Sequence, residues 1–386
     1  MICRQPSPLL CRRALAVVGV CCVVSLAAAQ TETDNWTRCE GSNPDLSIPA
    51  CTALIQSSQQ DAENLAVALN NRGIAYDVKG QHNLAIADFS HAIQLKPDYA
   101  GAFANRANAD VALGELAEAI ADYDEAIRLK PDDVNVFNLR GSTYDALGQF
   151  DSAIADFTHA LKLKPDSADA FVNRANAYAD KRRYDQAIAD YSQALRLNTS
   201  DATIFYNRGV AYLVTGQLDS SIADFDQAIR LRPDLAEAFN NRGIVRHDQG
   251  HDDAAIVDFD QAIRLQPDYA AAYRNRCTSR AIVGQLQAAL ADCNRSLALR
   301  ANDPLALDSR GLVYLRMKNF AAAIADYNAA LATNPKKASS LYGRGLAERM
   351  QSAAAGASDI SAALALQPGI ADQFAQWGIA PEEPGP

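Results

Sequence analysis

Residues 71–98 read NRGIAYDVKGQHNLAIADFSHAIQLKPD, and residues 105–132 repeat the pattern as NRANADVALGELAEAIADYDEAIRLKPD. The arginine of that stretch opens a column, Arg72, Arg106, Arg140, Arg174, Arg208, Arg242, Arg276, Arg310 and Arg344, spaced 34 residues apart without a slip. An aspartate column keeps the same step through Asp88, Asp122, Asp156, Asp190, Asp224, Asp258, Asp292 and Asp326, and resumes at Asp359 after a one-residue deletion. Pro97, Pro131, Pro165, Pro233, Pro267 and Pro335 fall on the same grid. A chain of 386 residues exceeds the size at which one globular core stops growing, and the internal period makes it a repeat array.

Each unit carries its own helical signals. Ala85, Ile86, Phe89, Ala92, Ile93 and Leu95 recur at the spacing of one helix face, so the second half of the unit is an amphipathic helix. Gly80, Gly114, Gly148, Gly216, Gly250 and Gly284 supply the permissive backbone of a tight turn before that helix. Pro97 cannot continue the helix, and Asp98 suits the cap of the next one. A single hairpin cannot bury its apolar stripe, so each must lean on its neighbours.

This period and punctuation resemble the tetratricopeptide repeat over about residues 66–370. In the first unit the family's small residue falls at Gly73, its aromatic at Tyr76, its turn glycine at Gly80, with Ala85, Phe89, Ala92 and Pro97 completing the motif. The resemblance implies an all-α chain, a right-handed superhelical α-solenoid of about nine helix-turn-helix hairpins with capping helices. It also implies a non-catalytic scaffold for protein–protein interaction, with a peptide or protein segment held in the concave groove. The alternatives are a subunit of an envelope assembly or secretion complex and, less favoured, an enzyme or a metal-binding protein. No cofactor is implied.

At the arginine column the family usually places a packing leucine. An unpaired, partly buried guanidinium costs several kcal/mol, so each arginine calls for a carboxylate. The aspartate column offers one per unit, which predicts an ion-pair ladder of Arg72, Arg106, Arg140, Arg174, Arg208 and Arg242 with Asp88, Asp122, Asp156, Asp190, Asp224 and Asp258, each within its unit or with the adjoining one. Structural pairing stands against two alternatives, anion receptors and plain surface charge.

In the family the first helix of each unit lines the concave face, where Asn71, Asn105, Asn173, Asn207, Asn241 and Asn275 form a column. Amides on such a face can hydrogen-bond an extended peptide, or they can bond neighbouring helices. The family's carboxylate-clamp lysines are missing. Along the array the face turns from Asp77, Asn108, Asn138 and Asp145 toward Tyr206, Leu213, Leu315 and Tyr342, which makes the C-terminal half the expected apolar anchor, with Arg274, Arg316 and Arg349 nearby.

Residues 1–29 have the parts of a secretory signal: Arg4, Arg12 and Arg13, an apolar run from Ala14 to Leu26, and a small-residue site ending at Ala29. Cleavage there leaves 33 basic against 46 acidic residues, a net charge of −13, which disfavours nucleic acid and anionic membrane surfaces as partners. No membrane insertion is expected after cleavage. Residues 30–65 read as an N-terminal capping segment, and 371–386 as a C-terminal cap helix with Phe374 and Trp377 followed by a disordered tail. Of the cysteines beyond the signal, Cys39 and Cys51 form one local pair and Cys277 and Cys293 another, read as disulfides or as buried thiols. The short arginine-led signal and alanine-rich body favour a bacterial periplasm. His247 and His251, with Asp248, Asp252 and Asp253, surround one inter-helix turn, as a metal site or a solvated turn, and no phosphate loop or nucleophile elbow is present.

Overall fold

The computed structural model describes residues 31–379, apart from 58, 59, 199, 353 and 354. The expected signal segment, the expected cleavage site and the expected disordered tail of 381–386 lie outside those residues. The chain divides into two compact units that part between Lys181 and Arg182. The first unit runs through a helical segment at 31–39, a helix at Pro44–Gln56, and the hairpins Ala62–Val78 with His82–Leu95, Ala100–Leu113 with Leu116–Leu129, and Val134–Ala146 with Phe150–Leu163, ending on Ala168–Asp180. The second begins with Tyr184–Leu197 and continues as Ala202–Val214 with Leu218–Leu231, Ala236–Asp248 with Asp252–Leu265, Ala270–Ile282 with Leu286–Leu299, Pro304–Arg316 with Phe320–Thr333, and Ala338–Gln351 with Ala357–Leu366, closing on Ile370–Gln376. Helices are the only regular elements among the described residues, and the chain is an all-α repeat array.

The turn inside each hairpin is made by one left-handed residue. Gly80 has φ +70°, and the Gln81 amide behind it donates to the carbonyl of Tyr76 at 2.9 Å, which satisfies a helix-end acceptor. Arg182 and Lys318 stand where the other units have glycine, and they keep the left-handed turn at φ 58° and 57°. The left-handed conformation costs such residues about 1–2 kcal/mol that a glycine avoids.

The two helices of a hairpin approach through a small residue under an aromatic ring. A Cβ added at Gly73 would sit 2.6 Å from Phe89 Cε1, and Gly243 stands in the same relation to Phe259. Phe89, Phe157, Phe225, Phe259, Tyr123 and Tyr327 are all at most 1% exposed. In one hairpin, Cys277 and Cys293 replace the glycine and the ring and are joined by a disulfide. Cys39 and Cys51 form the other disulfide, fixing residues 31–39 to the helix Pro44–Gln56.

Candidate functional site

The arginine column is built first from its own hairpin. Arg72 Nε and Nη2 donate to the two oxygens of Asp88 at 2.7 and 2.8 Å. The same two-pronged contact joins Arg106 to Asp122, Arg140 to Asp156, Arg208 to Asp224 and Arg242 to Asp258. It recurs at Arg276 with Asp292, Arg310 with Asp326 and Arg344 with Asp359. Arg174 lies in the first unit, where its Nη1 donates to Thr158 Oγ1 at 3.0 Å, and Asp190 lies buried in the second.

The remaining Nη1 reaches back to the preceding repeat. Arg106 donates to Ser90, Arg140 to Asp124, Arg208 to Ser192, Arg242 to Asp226, Arg276 to Asp260, Arg310 to Asn294 and Arg344 to Asn328, always 16 positions upstream. This upstream column was not read from the sequence. Its signal was available, because every position two residues after the aspartates from Asp88 to Asp326 is a short side chain with a hydrogen-bonding oxygen. Aromatic rings cover the guanidinium faces: Arg140 lies 5.7 Å from the Phe137 centroid and 5.8 Å from that of Tyr144, and Phe205 and Tyr212 flank Arg208. These arginines thus spend their donors within and between repeats. Bonding to Asp88 raises the Arg72 guanidinium above its ordinary value, so the charge is retained.

The asparagines on the first helices are half-buried, and the structure pairs several with neighbours. Asn105 Nδ2 donates to Asn70 Oδ1 at 2.9 Å, Asn275 Nδ2 to Asn240 Oδ1 at 2.9 Å, and Asn241 Nδ2 to the Tyr206 hydroxyl at 3.1 Å. Asn71 accepts a long bond of 3.5 Å from Asn70, while Asn173 and Asn207 occupy the same column on their own helices. Asn70 and Asn240, one position before the column, complete this network and were not singled out from the sequence.

In the first unit the first helices keep unpaired buried acceptors and exposed apolar groups. On the helix Val134–Ala146, Asn138 Oδ1 and Asp145 Oδ1 are shut off from solvent and have no hydrogen-bond partner. They stand seven residues apart, two turns along one helix face. Burial, with Asp180 as a second negative charge, pushes the Asp145 carboxyl above its usual range. Ile74, Val78, Val111 and Leu139, all on first helices, are more than a third exposed, and Ile74 and Val78 line a groove of about 210 Å³ with Asn71, Cys39 and Pro44.

The apolar anchor expected in the C-terminal half is not open. Leu315 is 4% exposed and Tyr342 3%, so neither can serve as a free peptide contact. The cause is the segment that follows the last hairpin: Phe374 packs edge-on to Tyr342 with centroids 4.9 Å apart, and Trp377 lies tilted beside Phe374 at 5.1 Å. Leu213 is half-buried against the cluster around Phe225, next to Tyr206. Arg274 turns to Asn275 and Asp303, and Arg316 donates to the helix-end carbonyls of Ala281 and Ile282, so both are occupied within the unit. His247 pairs with Asp252 at 2.7 Å across the inter-helix turn.

Tetratricopeptide-repeat family models match residues 66–99, 107–250 in four overlapping copies, 236–269 and 309–371. None of the curated proteins matches the sequence. Among solved structures the chain is similar to the Cut9–Hcn1 hetero-tetramer of APC/C, with 19% identity, 80% of this chain and 60% of that one covered, and a TM-score of 0.51, a likeness of fold. It is also similar to a tetratricopeptide repeat protein from Parabacteroides merdae ATCC 43184, with 19% identity, coverage of 64% and 98%, and a TM-score of 0.48. YrrB, described as a TPR protein with an unusual peptide-binding site, shares 26% identity over 48% of this chain and 95% of its own, at a TM-score of 0.44.

Proposed function

The chain belongs to the tetratricopeptide repeat family, whose members are typically non-catalytic scaffolds for protein–protein interaction, and from that premise we propose that it is an exported, envelope-located scaffold gripping an extended, basic peptide segment along the first-helix face of its N-terminal unit. One observation carries the choice of face and ligand: Asn138 Oδ1 and Asp145 Oδ1 are buried acceptors without donors. A buried acceptor left unmade costs about 1–3 kcal/mol, and an incoming peptide N–H or lysine ammonium would recover it. Exposed Leu139, Val111, Val78 and Ile74 supply apolar contact along those helices, and the net charge of −13 left once residues 1–29 are removed favours a cationic partner. Export is supported by the signal-like residues 1–29 and by two disulfides, which persist in oxidising compartments.

The test is selection of displayed decapeptides on the immobilised full chain, followed by titration of the enriched peptides. Lysine- or arginine-bearing peptides are expected to be enriched, and Asp145→Asn to weaken them by about tenfold with helicity unchanged. Enrichment of acidic peptides, or equal binding by Asp145→Asn, sinks this ligand. For the location, osmotic-shock release of a chain beginning at Gln30 is expected; retention of residues 1–29 in the cytosolic fraction speaks against export.

A further inference from the structure

The last first-helix surfaces hold something already. Ile370, Phe374 and Trp377 lie at i, i+4 and i+7 along and just past the helix Ile370–Gln376, the spacing of one apolar stripe. Ile370 is 0% exposed and Phe374 1%, and with Ile379 they join the core cluster of Leu312, Leu315, Tyr342 and Leu346. Those four residues come from the helices Pro304–Arg316 and Ala338–Gln351, both first helices of their hairpins. Trp377 reaches further, sharing a small cavity with Thr278 on the helix Ala270–Ile282. The segment thus packs on the first helix Ala338–Gln351, borders Leu315 and Arg316 of the first helix before it through Gly378 and Ile379, and shares the wall of one cavity with a third, along a row of helices as a helix seats in a groove.

The fit is incomplete. Beneath Phe374 and Trp377 a cavity of about 80 Å³ remains, lined also by Asp308, Ser309, Leu312 and Ser339. The Tyr327 side chain on its wall is 1% exposed, and its hydroxyl has no hydrogen-bond partner. A cover serving only to close the array would be expected to fill that space or satisfy that hydroxyl, since buried polar groups are ordinarily paired. The segment also runs past the last hairpin onto earlier helices, which sealing the end does not require.

We propose that Ile370–Ile379 is a resident ligand of this groove, standing in for an amphipathic helix of a partner protein that presents large apolar residues at the same i, i+4, i+7 spacing and displaces it. The occupant reports the chemistry of the partner, an aliphatic residue and then two aromatics, and the Tyr327 hydroxyl that the occupant leaves unpaired is where the partner adds a polar atom. Self-occupancy lowers the apparent affinity by the fraction of time the groove is open, so removing the anchors tightens binding of an external helix. The idea rests on the first-helix face being the ligand face, yet it uses a different surface from that of Asn138 and Asp145, so either can fail alone.

The experiment uses the full chain and a fluorescein-labelled synthetic peptide covering Leu366–Ala380. The expected result is that Phe374→Ala/Trp377→Ala binds the peptide at least about tenfold tighter than the unaltered chain, while a scrambled peptide binds neither. Equal binding by the two chains, or none by the folded double variant, overturns the proposal. Should that variant lose helicity, amide exchange of the unaltered chain decides. Exchange of 370–379 about tenfold or more faster than that of Ala338–Gln351 supports a displaceable occupant, and exchange at the same rate means a permanent cap and overturns it.

Discussion

The two units draw their first-helix faces from the same sequence columns and put them to opposite use. In the first unit, Ile74, Val78, Val111 and Leu139 stay exposed beside the unpaired acceptors of Asn138 and Asp145. In the last repeats of the second, Leu312, Leu315, Tyr342 and Leu346 are almost fully buried under Phe374 and its neighbours. Hydrophobicity along a repeat face therefore does not tell an exposed stretch from a covered one. The more apolar stretch recruits a cover from its own chain, and the mixed stretch, which no local segment satisfies, is left available.

The difference is most sharply broken at Phe374. Phe374→Ala removes a fully buried ring and is expected to cost about 3–5 kcal/mol, felt only in the neighbouring repeats because each repeat contacts its neighbours alone. Limited proteolysis should show new cleavage within 304–379 and none within 66–163. Cleavage throughout the chain would mean that the covered face supports the whole array.

A smaller effect compares the ladder in the two units. Asp258 receives Arg242 and also Arg246, whose Nη1 lies 2.8 Å away, whereas Asp88 receives Arg72 as its arginine partner. Asp258→Ala removes the carboxylate that two guanidinium groups share and should cost about 3 kcal/mol by urea midpoint, against about 2 kcal/mol or less for Asp88→Ala. Equal losses would show that the second arginine contributes nothing.

The smallest expected effect concerns the column of Arg246 at its position in the first unit, Asp110. Desolvation, reinforced by the nearby Asp122 carboxylate, pushes the Asp110 carboxyl up to about 6. In the unfolded chain this carboxyl titrates near 3.8, so between the two values the fold binds the proton and the unfolded chain does not. The charged form thus weakens the fold above about pH 6, and the penalty fades as pH falls toward about 4. Asp110→Asn should stabilise the chain at neutral pH, with the gap closing over that window in urea titrations. A gap independent of pH would remove desolvation of this carboxyl as the cause.

Much of this was legible in advance, for reasons tied to particular residues. The 34-residue step of Arg72 to Arg344 fixed the hairpin length, and the chemistry of a half-buried guanidinium pointed to the aspartates. The back-bonds to Ser90 and its counterparts escaped notice because serine, threonine, asparagine and aspartate share hydrogen-bonding capacity and little else, so no single letter repeats. The family resemblance puts Asn105 on the first-helix face, yet its partner Asn70 belongs to the preceding repeat, and a column followed one unit at a time is blind to that neighbour.

The sequence by itself determined the repeat, the hairpin and the need to neutralise each arginine, because these depend on periodicity and on the cost of local burial. Only the tertiary structure decided which stretch of the repeated face is covered and which is open. That outcome depends on where residues 370–379 come to lie against helices up to about a hundred positions upstream, a long-range packing choice that a repeating pattern, alike in every unit, does not encode.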